Sequence, residues 1–141
     1  MGNIETNQSV AALDNARRAD AENRELARGA LRAIAVHDSS RSISLLKEVA
    51  AKDSDIEIQR SAVSNLSRVK TQESLGALIE LYDGAENDSL KEELIAGIAR
   101  NESRKALDKL QSIAKNDANP KMRQRAIRRL STVRESGVWI N

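Results

Sequence analysis

The chain carries one histidine and no cysteine. His37 stands beside Asp38 and Ser39, so the three residue types of a nucleophilic triad occur together. A working triad needs the imidazole to reach the nucleophile with one nitrogen while the carboxylate holds the other. Consecutive residues do not gain that geometry by being neighbours, and the trio reads as a turn. Without cysteine there is no thiol nucleophile, thiolate metal site or disulfide. A single imidazole and no spaced acidic loop leave no zinc or calcium pattern. The glycines form no phosphate-cradling motif. The sequence therefore predicts no enzyme, no bound metal and no cofactor.

Charge is more informative. Residues 71–102 hold two basic and eight acidic side chains, net −6, and residues 103–141 hold ten basic and three acidic, net +7. The overall net charge of +2 conceals this polarity. The basic cluster is Lys121, Arg123, Arg125, Arg128, Arg129 and Arg134. It suits an anionic partner, nucleic acid included, with Lys121, Arg125, Arg128 and Arg129 as the candidate contacts. Against this, no aromatic interleaves with the arginines to stack a base. The acidic unit alongside offers internal counter-charge, so a solvated and partly paired face is the plainer reading. Contact between molecules, basic end to acidic flank, is a third.

These residues need elements to position them, and the sequence is periodic. Leu26, Ile58, Leu90 and Met122 are 32 apart, as are Ala30, Ala62, Leu94 and Ala126. The same spacing relates Leu31, Val63, Ile95 and Ile127, and also Ile34, Leu66, Ile98 and Leu130. Within each unit the apolar pattern is i, i+4, i+5, i+8, the stripe of an amphipathic helix, here called A. A second stripe, helix B, follows in the columns Ile43–Leu75–Leu107, Leu46–Leu78–Leu110, Val49–Leu81–Ile113 and Ala50–Tyr82–Ala114. Polar residues keep the same register. Asn23, Asp55, Asn87 and Asn119 precede the A helices, while Ser39, Thr71 and Ser103 precede the B helices. All are strong N-cap types, each contributing roughly 1 kcal/mol. Pro120 follows Asn119, where a first-turn proline loses no hydrogen bond.

The pattern predicts A helices at 24–36, 56–68, 88–100 and 120–133, and B helices at 40–51, 72–84 and 104–115. Thr6, Val10, Leu13 and Ala16 echo the B pattern, which adds a half-repeat helix at 7–19 and brings the total to about eight. Arg17 and Arg18 in its core-like columns suit a polar N-terminal cap. Trp139 falls in the column of Ile43, Leu75 and Leu107 and suits closure of the other end. A segment cut from a longer array is the competing reading. The predicted fold is all-α, a right-handed α-α superhelix in one domain over 1–141. Its parts are a tail and capping half-repeat (1–22), repeats at 23–54, 55–86 and 87–118, and a half-repeat and tail (119–141). Stacked units of this kind share one continuous core. Composition agrees: 40% of residues are apolar, Phe is absent, and Tyr82 and Trp139 are the only aromatics. Such a core is built from Leu, Ile, Val and Ala in thin helical layers.

The stretch 116–130, NDANPKMRQRAIRRL, resembles the bacterial HEAT-repeat pattern: an Asp/Asn-Pro start, an apolar-Arg pair, then Arg-x-Ala-Ile-x-x-Leu. Lys105-Ala106-Leu107-Asp108-Lys109-Leu110 resembles the second helix of that family. The resemblance spans 23–135. Similar repeats occur in HEAT-type proteins related to phycobilisome lyases and in bacterial multidomain proteins. Ser67, Ala99 and Ser131 stand where the family commonly has glycine at the end of helix A. The resemblance implies a non-catalytic scaffold or adaptor that binds protein or peptide through the face lined by the B helices. Placed on the concave side, those helices would present Ser44 and Glu48, then Glu73, Gly76 and Glu80, then Lys105, Asp108 and Ser112. Gly29, Gly76 and Gly97 fall within helices, where close helix contact is the expected reason. Tyr82 is expected to pack in the core. No run approaches the roughly 18 apolar residues of a membrane span. Glu5, Asn7, Gln8 and Asp14 stand where a signal peptide would need an apolar stretch. The expected location is cytoplasmic.

Overall fold

The computed structural model describes residues 21–37 and 39–136, with the backbone alone for 134–136. Among these residues all regular structure is helical: α1 (21–36), α2 (Ser40–Lys52), α3 (Ile56–Val69), α4 (Gln72–Gly84), α5 (Asp88–Asn101), α6 (Arg104–Asn116) and α7 (Pro120–Ser136). The predicted half-repeat helix at 7–19, Arg17, Arg18, Asp38, Trp139 and the side chain of Arg134 lie outside the described residues.

The caps explain why the helices start where they do. Ser39, Thr71 and Ser103 accept hydrogen bonds from the backbone N–H groups of Ser42 (3.1 Å), Ser74 (3.1 Å) and Ala106 (3.2 Å). Thr71 and Ser74 cap each other reciprocally, since the Thr71 N–H donates to Ser74 Oγ at 3.0 Å. Asp55, Asn87 and Asn119 do the same for α3, α5 and α7. Asn23 is the exception. It lies inside α1, which already includes Ala21 and Glu22. Both are strong helix formers, and they carry the helix past the position where Asp53-Ser54 and Asp117-Ala118 form loops in other units. Lys70 and Glu102 end α3 and α5 in the left-handed region, at φ 56° and 55°.

The A-type helices α3, α5 and α7 stack in sequence, α2 packs on α4, and α2, α4 and α6 each pack against the A helix that follows. The core lies between the two layers. Leu46, Leu78 and Leu110 are at most 1% exposed. Burying one such side chain contributes about 1.5–3 kcal/mol.

The columns also reveal a direction. Ile58, Leu90 and Met122 are buried, but Leu26 is 73% exposed. Ala62, Leu94 and Ala126 are buried, but Ala30 is exposed. These two columns therefore face the preceding unit, which α1 lacks among the described residues. Leu31, Val63 and Ile95 are buried, whereas Ile127 in the last A helix is 51% exposed. That column faces the following unit. Among the described residues the columns that face a neighbouring unit are thus buried in α3 and α5, while α1 and α7 each leave one side uncovered. Gly97 is a true close approach: a Cβ there would lie 3.1 Å from Ser67 Cβ. Gly29 and Gly76 are not, because a Cβ at either would meet nothing within 4 Å.

Candidate partner-binding surface

Because Ile43, Leu46 and Ala50 point inward from α2, the helical period turns Ser44 and Glu48 outward. The same argument places Glu73, Gly76 and Glu80 on α4 and Lys105, Asp108 and Ser112 on α6. All are exposed except Gly76, which is half-buried. Ser44, Gly76 and Asp108 form one column of short side chains; Glu48, Glu80 and Ser112 form the next. All four carboxylates are already engaged. Ser40 Oγ donates to Glu73 at 2.9 Å, and Lys47 pairs with Glu80 across the gap between α2 and α4. Glu48 faces Lys52 at 3.7 Å and Asp108 faces Arg104 at 3.5 Å. Exposed pairs of this kind contribute about 0–1 kcal/mol each. Their larger consequence is a surface on which, among the described residues, only Glu73 and Lys105 carry charge that no ion pair balances.

The A layer carries a cross-unit ladder. Arg24 meets Asp55 (2.7 Å), Arg28 meets Glu57 (3.8 Å), Arg60 meets Glu93 (3.6 Å) and Arg125 meets Glu92 (3.7 Å). The Arg24 hydrogen bond, with the Glu57 N–H second, holds the Asp55 carboxyl below its ordinary range. The ladder divides the predicted anion cluster. Arg125 belongs to it, and Arg123 donates to the Asp117 carbonyl at 2.7 Å. Lys121, Arg128 and Arg129 are exposed and form no ion pair among the described residues.

Tyr82 is 5% exposed, and the core role read from its column holds. Its polar contacts were not foreseen from the residue pattern. Its hydroxyl donates to Asp117 Oδ2 at 2.5 Å, and Lys91 Nζ and Lys109 Nζ each lie 5.6 Å from the ring centroid. Burial, then the Asp117 hydrogen bond, raises the phenol well above its usual value. Burial alone would raise Asp117. The Tyr82 hydroxyl, the Asn119 N–H and the charges of Lys91 and Arg123 outweigh it, and the net shift is downward.

One unit earlier there is an open depression of about 560 Å³, whose lining includes Ala50, Gln59, Glu80, Leu81, Gly84, Ala85 and Glu86. Sequence reasoning missed it. Part of the signal was the alternation of Ala50, Tyr82 and Ala114 in one column.

His37 is an exposed turn residue whose N–H donates to the Ile34 carbonyl, and Ser39 Oγ is occupied in capping. No group of three or more His, Cys, Asp or Glu side chains able to hold a metal occurs among the described residues. Nor is any helix among them long and apolar enough to cross a membrane.

Helix pairs in one 32-residue register, layered A on A and B against A around an aliphatic core, define a helical-repeat solenoid. The chain belongs to the HEAT-repeat family, whose profile, described as HEAT repeats, matches residues 10–99. No curated protein and no solved structure matches it. HEAT repeats generally serve as protein-interaction scaffolds and are typically non-catalytic.

Proposed function

We propose that the chain is a non-catalytic scaffold or adaptor that binds a protein or peptide across the exposed face of α2, α4 and α6. We also read residues 1–141 as one domain, with half-repeats flanking three full repeats. The carrying observation is the strip Ser44–Gly76–Asp108. It is short in side chain, open above Gly76 and continuous over three units. A backbone or extended segment can approach such a strip closely. Photo-crosslinking from positions 44, 76 and 108 tests the proposal. A specific partner should be captured at all three, and Ser44→Arg with Ser112→Arg should weaken its binding at least tenfold. Capture that is equally strong from position 32 on α1, and indifferent to those substitutions, contradicts it.

A second reading rests on Lys121, Arg128 and Arg129, exposed cations of α7 that pair with no carboxylate among the described residues. They suit an anion or a nucleic-acid backbone. Binding to generic duplex DNA should then fall with rising salt and be abolished by charge reversal at Arg128 and Arg129. DNA binding that survives those reversals removes this reading.

A further inference from the structure

The depression between the first and second repeats is the unfilled counterpart of the Tyr82 site. Moving 32 residues along the chain takes Ala50 to Tyr82, Gln59 to Lys91 and Ala85 to Asp117. The first member of each pair lines the depression. The second members form the cluster in which the buried Tyr82 bonds half-buried Asp117 and Lys91 lies over the ring. At the later junction an aromatic ring from within the chain occupies the space between units. At the earlier one Ala50 offers only its buried methyl group.

We propose that this depression receives one aromatic side chain of a bound protein segment, with a basic residue beside it. The inference rests on the scaffold reading above and names where and how the partner is anchored. The ring is argued from the molecule itself, since the same backbone register accommodates a phenol one repeat on. The hydroxyl is not required, because Ala85 replaces the Asp117 acceptor; phenylalanine suits the site as well as tyrosine. Leu81, Gly84 and Ala85 supply apolar wall, while Gln59 spans the floor by donating to the Ala50 carbonyl at 3.0 Å. The basic neighbour is argued from charge. Glu80 is held by Lys47, but Glu86 is exposed on the rim without an ion pair, within the unit of net charge −6.

The test is an NMR titration of the full chain with the blocked peptide acetyl-Lys-Phe-Lys-amide, using acetyl-Lys-Ala-Lys-amide as control. The expected result is shifts of the Ala51, Gly84, Ala85 and Glu86 amides with the phenylalanine peptide only. Ala50→Tyr fills the depression from within and should abolish them. Gly84→Leu narrows it from the rim, where a Cβ meets nothing within 4 Å, and keeps the test valid if the buried Ala50 site rejects a ring. Shifts that are absent, that match the control or that map to α7 overturn the proposal. So does a crosslinked partner that binds both filled variants as tightly as wild type. A partner of that kind still lost on Ser44→Arg and Ser112→Arg leaves the scaffold reading standing and removes only the anchor.

Discussion

Between the second and third repeats, Tyr82 fills the space between units and ties α4 to the loop before α7 through Asp117. Between the first and second, the same column holds Ala50, and the units are joined across α2 and α4 by Ser40–Glu73 and Lys47–Glu80 at the surface. The helices, caps and aliphatic columns are alike on both sides of the comparison. Three column positions, Ala50 for Tyr82, Gln59 for Lys91 and Ala85 for Asp117, separate the hollow junction from the solid one. The repeat thus fixes the frame and leaves individual junctions free to serve stability or recognition.

The largest expected effect comes from hollowing the solid junction. Tyr82→Ala removes a buried ring and leaves Asp117 without its hydroxyl donor, and should cost about 3–4 kcal/mol in urea unfolding. A loss below about 1 kcal/mol would mean that the two junctions do not differ in the way described. A smaller effect is expected from the carboxylate. Asp117 is depressed in the folded state, so its contribution is full well above its ordinary value of 3.8 and is lost as pH falls through the lowered folded value. The stability gap between wild type and Asp117→Asn should therefore narrow on acidification; a gap independent of pH would separate Asp117 from the junction. The smallest effect belongs to the hollow junction. Lys47→Ala removes an exposed pair and should cost about 0.5 kcal/mol or less, readable as a slight fall in urea midpoint.

Much of this was legible in the sequence because burial and capping are written in residue types at fixed spacing. From α2 to α6 the predicted ends agree with the observed ones to within a residue, since Ser39, Asp55, Thr71, Asn87 and Ser103 are all caps in fact. Asn23 misled because a cap residue type does not act as one when strong helix formers precede it. Leu26 and Ile127 are exposed because a column repeats in sequence whether or not a described neighbour covers it, and none does at these two positions. Gly29 and Gly76 resemble Gly97 in sequence, and only the distance to Ser67 separates them. The candidate face was legible as exposed positions. Its pairing with Lys47, Lys52 and Arg104 depends on side-chain reach across and along helices, which spacing does not encode. The depression needs three columns read together, Ala50, Gln59 and Ala85, with their absent counterparts in mind.

The opposed faces of each A helix bear on how the molecule comes apart. A middle helix such as α5 is clasped from both directions, whereas α1 shows Leu26 and Ala30 to solvent and α7 shows Ile127. Local opening is cheapest where the fewest apolar contacts must be broken. Amide protons of α1 and α7 should therefore exchange with deuterated water sooner than those of α3 and α5, so that opening follows the uncovered columns and spares the doubly covered ones.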